Sequence, residues 1–156
     1  MHLQRDGRMS NAELARRIRL SPTPTLRRTK ALEATGVITG YHAQVDLNAV
    51  DRGFQVLVWV DLLASTTDYI EAFEQAVVDI DDVMEAHRLF GEPDYLLKVA
   101  VRDTAAYEHL YTTTLSALPG IRRALSQIAM KTVKHGSTVP LLPHQGDQQD
   151  WRGRPS

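Results

Sequence analysis

The sequence contains no cysteine among its 156 residues. This absence excludes a disulfide framework and any metal site that depends on thiolate ligands. No run of apolar residues approaches the length that a membrane-spanning helix needs, and the first residues lack the features of a secretory signal. A soluble cytoplasmic protein without a membrane partner is therefore expected.

The sequence also lacks the usual signatures of a catalytic site. Its six histidines form no H-x-x-x-H pattern and lie at no familiar catalytic spacing from an acidic residue. A glycine-rich phosphate loop and a nucleophile elbow are missing as well. These absences predict no catalytic residues, no metal and no cofactor, although a small ferredoxin-like enzyme is a minor alternative.

The net charge of -1 conceals an uneven distribution along the chain. Residues 1–54 contain nine lysines and arginines against five acidic residues, a balance of +4. Residues 55–156 contain nine against fourteen, a balance of -5. A basic segment joined to an acidic remainder is typical of a nucleic-acid reader attached to a second module.

Residues 10–41 carry the most informative pattern of the chain and predict two helices, a tight turn between them and a short strand. Ser10 and Glu13 have the spacing of a capping box at the start of the first helix. Apolar residues then recur at helical spacing as far as Ile18. Two helices joined by such a turn are the core of a helix-turn-helix.

The second of these helices has the side chains that suit DNA. Ser21 and Pro22 predict its start, Gly36 its end, and residues 37–41 a wing strand. One side of the helix is predicted to face inward and carries Leu26, Thr29 and Leu32. The opposite side carries Thr23, Arg27, Arg28 and Ala31. Guanidinium groups and hydroxyls on an exposed face suit phosphates and base edges, and a merely solvated basic face is the alternative.

The rest of the chain predicts strands and helices in the order β-α-β-β-α-β. Residues 47–54 are rich in turn formers and are interpreted as a linker. Strands are predicted over residues 55–63, 83–90, 95–101 and 121–133. One helix is predicted from Asp68 onward, and Asp103 is placed to cap another. This order is the ferredoxin-like arrangement, which together with the N-terminal helices predicts an α+β fold.

One face of the predicted sheet has no helix to cover it, because two helices can cover only one side. Leu57 and Trp59 point to that open face. Large apolar patches are rarely left in water. Self-association through the sheet is therefore expected.

Three segments resemble the Lrp/AsnC (feast/famine) family of transcriptional regulators: DGRMSNAELARRIRLSPTPTLRRTKALEATGVITGY, GEPDYLLKVAVRDTAAY and LPGI. The resemblance covers nearly the whole chain up to residue 140. It implies a winged helix-turn-helix in residues 1–46 and a ferredoxin-like βαββαβ (RAM-type) domain in residues 55–142. Family members form dimers by sheet packing and often assemble into tetramers or octamers. Residues 143–156 lack apolar periodicity and are expected to be a disordered tail.

On this resemblance the chain is expected to be a sequence-specific transcriptional regulator with double-stranded DNA as its partner. The helix that begins at Pro22 would enter the major groove, and a symmetric dimer would bind a pseudo-palindromic site. The arginines would bind phosphates or bases, while the hydroxyls would lie near the DNA backbone. The residues expected to contact DNA are Arg16, Arg17, Ser21, Thr23, Thr25, Arg27 and Arg28.

The turn at residues 91–95 is the second feature of the sequence that suggests a binding site. Asp94 can pair with the ammonium group of an amino acid, and an ordinary β-turn in which Asp94 makes a local bond is the alternative. In the family a small effector, commonly an amino acid, lies near this turn at an interface between subunits. The positions that match the family's effector-response sites are Arg88, Gly91, Asp94, Tyr95, Thr104, Gln127, Ile128 and Ala129. Arg88 and Gln127 replace residues that are more often apolar or aromatic, so the effector's identity stays open.

Two features differ from the family pattern. Family members carry a further helix before the DGR segment, and residues 1–4 preserve only its end. The apolar residues expected to lose cover are Leu14, Ile18, Leu26 and Leu32. A less stable N-terminal module, an upstream start, and a stand-alone ligand-binding module with impaired DNA binding are the alternatives. Arg19 replaces the glycine of the turn, where a retained left-handed backbone would cost about 1–2 kcal/mol, and a changed angle between the helices is the alternative.

Overall fold

A computed structural model describes residues 2–134 and Gly136 of the chain. The described residues form two compact units, which we call the N-terminal unit (residues 2–43) and the C-terminal unit (Gln44–Val133). In the described part of the chain, none of the helices has the length and apolar character that crossing a lipid bilayer requires.

The N-terminal unit contains the helices α1 (His2–Arg5), α2 (Asn11–Arg17) and α3 (Pro22–Ala34). Ser10 caps α2, because its hydroxyl oxygen accepts a hydrogen bond from the backbone N–H of Glu13 at 3.2 Å. The predicted start of α3 is confirmed with Ser21 at its N-cap, although the Ser21 side chain makes no capping bond. Gly36 follows the end of α3 with a φ of 72°, the left-handed conformation that glycine adopts without strain.

The turn between α2 and α3 contains Arg19 with a φ of 57°, so the left-handed backbone is retained there without glycine. The side-chain amide of Asn11 donates a hydrogen bond to the carbonyl of Pro22 at 2.8 Å. This bond ties the first residue of α2 to the first residue of α3. The helix-turn-helix is therefore held by polar contacts at its corner as well as by apolar packing.

The predicted wing strand at residues 37–41 is wrong, since these residues form no strand. An isolated strand cannot satisfy its backbone groups, and the described residues of the N-terminal unit supply no partner strand. Local bonds replace the ladder. Ile38 donates its N–H to the carbonyl of Leu32 at 3.0 Å, and the Tyr41 hydroxyl donates to the Glu33 carboxylate at 2.9 Å.

Packing in the N-terminal unit is thin. Leu14 is buried, which differs from the expectation that it would lose cover. The other three residues of that prediction remain 38–44% exposed: they are Ile18, Leu26 and Leu32. A groove of about 520 Å³ lies beside two of them, Ile18 and Leu32, and its apolar lining also includes Leu3, Leu14, Val37 and Tyr41.

The segment interpreted as a linker, residues 47–54, is folded as part of the C-terminal unit. It contains a 3-10 turn at Asn48–Val50, after which Asp51 adopts a left-handed φ of 56°. The N–H of Arg52 then closes the loop on the carbonyl of Leu47 at 2.7 Å. These bonds make the segment a compact loop at the start of the C-terminal unit.

The C-terminal unit contains β1 (Phe54–Leu62), α4 (Thr67–Val78), β2 (Val83–Arg88), β3 (Tyr95–Val101), α5 (Thr104–Thr113), a 3-10 turn (Leu115–Ala117) and β4 (Ile121–Ile128). The four strands form one antiparallel sheet in the order β2-β3-β1-β4. This topology confirms the ferredoxin-like βαββαβ prediction and the α+β class. Asp103 caps α5 as expected, because its carboxylate accepts the N–H of Ala106 at 2.8 Å.

Two strands are shorter than predicted. β2 ends at Arg88, two residues early, where the chain turns toward β3. β4 ends at Ile128, which pairs with Val56 near the beginning of β1, so no strand continues beside the later residues. The predicted tail at residues 143–156 lies outside the described residues.

The core of the C-terminal unit lies between the sheet and the two helices. Alternate residues of β1 and β3 are at most 5% exposed on that side: Val56, Val58, Val60, Leu62, Tyr95, Leu97, Val99 and Val101. Phe73 of α4 and Leu110 of α5 pack against them. The period of two in burial is what a strand with one helix-covered face requires.

Candidate DNA-binding surface and effector-binding residues

The inward side of α3 is centred on Thr25, which is 1% exposed. Its hydroxyl donates a hydrogen bond to the carbonyl of Ser21 at 2.9 Å, so the buried side chain is satisfied within its own helix. The expectation that Thr25 lies near DNA is therefore wrong. The inward stripe has Thr25 in place of the predicted Leu26, which is 44% exposed, while Thr29 and Leu32 belong to both stripes.

The outward side of α3 carries Thr23, Arg27 and Lys30, all exposed. At 100° per residue they lie roughly 140–200° from Thr25. The small residues Ala31 and Ala34 lie one turn after Arg27 and Lys30, respectively, and leave room for a base edge to approach. Lys30 was not among the residues predicted from the sequence, although its position three residues after Arg27 is the signal that could have found it.

Arg28 lies at the flank of α3 and not at the centre of its outward side. It is exposed, and it also lines the apolar groove of the N-terminal unit. Arg16 and Arg17 of α2 are 78% and 48% exposed, and both pair with the Glu13 carboxylate. The charge of Arg16 and Arg17 is therefore partly balanced by Glu13. Arg27 and Lys30 are the stronger candidates for contact with DNA.

The turn between β2 and β3 is attached to the end of β1 by Asp94. One carboxylate oxygen accepts the backbone N–H of Leu62 at 2.7 Å, and the other accepts the Ser65 hydroxyl at 3.3 Å. Gly91 has a φ of 116°, a conformation that side chains rarely allow. The turn is therefore held by a bond to a distant strand. Neither prediction for Asp94, a local bond in the turn or a carboxylate open to a ligand, included this bond.

Tyr95 is a core residue, 3% exposed, with its ring 4.6 Å from that of Phe73. Its hydroxyl donates to the Glu74 carboxylate at 2.8 Å. Burial, and then the bond to Glu74, raise the pKa of Tyr95 to about 12. The Tyr95 ring therefore packs in the core of the described chain, while Arg88 beside it is exposed.

The remaining predicted effector positions lie on β4 and at the start of α5. Thr104, the first residue of α5, is exposed, and Ile128 is 58% exposed. The Gln127 side-chain oxygen accepts a hydrogen bond from the Trp59 indole at 2.8 Å. The N–H of Ala129 donates to the Gln55 carbonyl at 3.0 Å and ends the β4 ladder.

The strand register separates the predicted effector positions into two groups. Tyr95 pairs with Val60, whereas Gln127 and Ile128 pair with Leu57 and Val56. At 3.3 Å per residue, the two groups are about 10–13 Å apart along β1. We call them the turn group (Arg88, Gly91, Asp94 and Tyr95) and the tail group (Thr104, Gln127, Ile128 and Ala129). Within one chain they lie at opposite ends of the sheet.

The open face of the sheet is apolar at its centre and charged at its margins. Its apolar residues are Leu57, Trp59, Leu96 and Leu125. On one margin Glu85 pairs with Lys98 and with His87. The bond to Lys98, and then the bond to His87, lower the pKa of Glu85. On the other margin Arg123 donates to the Asp61 carboxylate at 2.9 Å. Among the described residues, no group of histidines and carboxylates could hold a metal ion.

The geometry agrees with comparisons against known proteins. The family model described as the Lrp/AsnC ligand binding domain matches residues 55–139, and a winged helix-turn-helix DNA-binding model matches residues 2–39. The first match covers more than half of the chain. The chain belongs to the Lrp/AsnC family.

Individual Lrp/AsnC relatives are similar over most of their length. The Bkd operon transcriptional regulator of Pseudomonas aeruginosa is 41% identical over 136 residues, which is 87% of this chain and 89% of the relative. The leucine-responsive regulatory protein of Escherichia coli is 40% identical over 137 residues, or 88% of this chain and 84% of the relative. A Neisseria meningitidis transcriptional regulator, solved as a complex with L-Met, has a TM-score of 0.84 at 35% identity, covering 89% of this chain and 90% of that one.

These Lrp/AsnC relatives fix the class of the protein. It is a DNA-binding transcriptional regulator with a separate ligand-binding domain, as the resemblance predicted. The relatives carry the names of regulators and not of enzymes.

Proposed function

We propose that the protein is a cytoplasmic homo-oligomeric regulator that reads DNA with the outward side of α3 and responds to an amino acid. The observation that carries the DNA-binding part is the exposed set Thr23, Arg27 and Lys30 on the second helix of a helix-turn-helix. Cationic and hydroxyl side chains on such a helix suit base edges and phosphates in the major groove. Ser21 at the positive end of α3, together with Arg16 and Arg17, would steady the approach through the DNA backbone.

DNA binding is tested with duplexes selected from randomised DNA by the wild-type protein. Arg27→Ala is expected to weaken binding by about tenfold and to relax base preference, because it removes a base contact. Lys30→Ala is expected to lower the salt slope by about one, as one phosphate contact is lost. Arg28→Ala is expected to have a smaller effect, since Arg28 lies at the flank.

Arg102→Ala serves as the matched control for these variants. Arg102 is also an exposed arginine, but it lies on the C-terminal unit and pairs with Asp103. If Arg27→Ala and Arg102→Ala bound the selected duplex equally well, the proposed reading face would be wrong.

We propose that two chains pack through the open face of the sheet. Its apolar centre matches the composition of a dimer interface, with charged pairs at the rim. Trp59→Glu would place a carboxylate in that centre and is expected to give monomers in sedimentation velocity. Val78→Glu is the control, because Val78 is an apolar residue 77% exposed on α4, away from the sheet. Dimers that persist with Trp59→Glu would refute this interface.

We propose further that the effector lies between subunits, with the turn group of one chain facing the tail group of another. The separation of about 10–13 Å along β1 exceeds what one small amino acid can bridge within a chain. The Neisseria relative was solved with L-Met, which supports an amino acid as the class of effector. Arg88 and Gln127 are the polar side chains of the two groups that would select among amino acids.

The effector site is tested by a thermal-shift screen of the twenty amino acids, followed by subunit mixing. Arg88→Ala and Gln127→Ala are each expected to abolish the shift caused by the stabilising amino acid. Mixed oligomers of the two variants are expected to regain part of it, since some interfaces then combine two wild-type groups. A shift that neither variant alters, or a mixture without recovery, would count against a shared site.

A further inference from the structure

The loop that precedes the sheet is attached to the C-terminal unit by one arginine. The Nη1 atom of Arg52 donates to the Asp82 carboxylate and to the Ala100 carbonyl, the latter at 3.0 Å. Asp82 and Ala100 are themselves joined, because the Ala100 N–H donates to the Asp82 carbonyl at 3.0 Å. Arg52 thus connects the loop to both the start of β2 and the end of β3.

This attachment is better shielded than an ordinary surface ion pair. The Arg52 and Asp82 side chains are each 34% exposed, so most of the pair is covered by protein. Screening by salt acts less on such a pair than on fully exposed charges. A guanidinium is also the group that can bind a carboxylate and a carbonyl together in fixed geometry.

The loop itself is too tightly folded to act as a slack tether. A Cβ at Gly53 would lie 2.2 Å from the Asn48 side-chain oxygen, so any larger residue there would have to displace the Asn48 amide. The Asp46 carboxylate accepts the N–H of Asn48 at 3.0 Å. Together with the bond from Arg52 N–H to Leu47, these contacts fold residues 47–53 into one piece.

We infer that Arg52 is a positioning residue for DNA binding, which fixes the point where the chain leaves the C-terminal unit toward the DNA-binding unit. The inference rests on the proposed function, namely DNA binding by two heads of one oligomer. When the Arg52 side chain is lost, only the loop's own bonds hold residues 47–53, and we expect these bonds to open. The segment that can reorient before β1 then lengthens from about three residues (44–46) to about ten (44–53). The effective concentration of the second DNA-binding unit at its half-site falls as about the -3/2 power of linker length. We therefore expect binding of this second unit to weaken roughly sixfold.

The test compares Arg52→Ala with the wild type on two duplexes, one with two half-sites and one with a single half-site. Binding to the double site is expected to weaken about sixfold, while binding to the single half-site stays unchanged. Arg52→Lys keeps the charge and is expected to recover part of the loss. Arg102→Ala is the control, because Arg102 donates to Asp103 and makes no hydrogen bond to the same loop, whose Asp51 acts on it only as a nearby charge.

Hydrogen exchange gives a second reading that does not depend on DNA. Amides of residues 47–53 are expected to exchange faster in Arg52→Ala, whereas those of β1 and β3 stay protected. If Arg52→Ala does not fold, Asp82→Asn removes the partner charge and is expected to give the same pattern at smaller size.

The inference is overturned if both duplexes lose affinity equally, if the double site is unaffected, or if the loop exchanges as in the wild type. A wild-type protein that bound neither duplex would refute the proposed DNA binding. The exchange of residues 47–53 would even then decide whether Arg52 holds the loop.

Discussion

The two units of the protein differ in how they are stabilised. Among the described residues, the N-terminal unit buries only Leu14, Ala15 and Thr25, whereas the C-terminal unit contains a continuous core of thirteen buried residues. Their charges differ as well. Residues 2–43 contain eight basic and three acidic residues, or +5, and residues 44–133 contain seven and fourteen, or -7. The basic unit thus keeps its side chains available to a polyanion, while the acidic unit supplies most of the folding free energy.

The largest expected difference between the units comes from removing a core leucine in each. Leu97→Ala is expected to lower the free energy of unfolding of the C-terminal unit by about 3 kcal/mol, because Leu97 is fully buried. Leu14→Ala is expected to cost about half as much and to affect the N-terminal unit alone, because Leu14 borders an open groove. Hydrogen exchange measured separately for the two units checks this. Equal losses in both units for either variant would mean that they unfold together.

The next largest effect concerns Asp94, which has a structural role within the C-terminal unit whatever its part in effector binding. Asp94→Ala is expected to cost about 2 kcal/mol without any ligand, because the Leu62 N–H loses its charged acceptor. Chemical denaturation in the absence of amino acids measures it. The control is Glu92→Ala in the same turn, since Glu92 is exposed. Wild-type stability for Asp94→Ala would show that water replaces the carboxylate at no cost.

The C-terminal unit was the easier of the two to predict from the sequence. Apolar residues recur at alternate positions along its strands, and Asp103 lies at the N-cap of α5. The end of β4 was misplaced because the apolar run continues past Ile128, while its partner strand does not. Where a strand stops depends on a neighbour that is remote in sequence.

The face of α3 was harder to predict, for a physical reason. Leucines at positions 26 and 32 suggested the inward side, yet Thr25 is the buried residue. A threonine can be buried in a helix when its hydroxyl bonds to a carbonyl one turn earlier, as Thr25 does with Ser21. The partners of Asp94 were equally out of reach, because Leu62 lies thirty-two positions earlier in the chain. Polar contacts between distant segments leave no periodic signal in a sequence.

A smaller effect is expected where each unit has a left-handed residue other than glycine. Arg19 and Asp51 have φ values of 57° and 56°. Arg19→Gly is expected to stabilise the N-terminal unit by about 1 kcal/mol, and Asp51→Gly the C-terminal unit by a similar amount, since glycine adopts this conformation without strain. Thermal unfolding followed unit by unit measures both. The same gain in free energy of unfolding is a larger fraction of the stability of the N-terminal unit, which has few buried residues. Arg19→Gly is therefore expected to change hydrogen-exchange rates relatively more than Asp51→Gly does.

The smallest expected effect concerns two tyrosines that each donate to a glutamate, one in each unit. Partial burial and the bond to Glu33 raise the pKa of Tyr41, and deeper burial and the bond to Glu74 raise the pKa of Tyr95 to about 12. A raised pKa means that the folded state favours the neutral phenol. The stability contributed by Tyr95 is therefore present below pH 10 and is lost between about pH 10 and 12.

Tyr95→Phe is expected to cost about 0.5 kcal/mol at neutral pH, because the exposed Glu74 carboxylate regains water. The variant should also remove the step at the highest pH from an ultraviolet titration of the tyrosines. In addition, the free energy of unfolding should fall less steeply above pH 10. Tyr41→Phe is the counterpart in the N-terminal unit, where Tyr41 is 46% exposed. It should leave the latest step in place, because solvent screens an exposed pair more effectively than a buried one. If Tyr41→Phe removed that step instead, the N-terminal unit would be the more tightly packed of the two around its tyrosine.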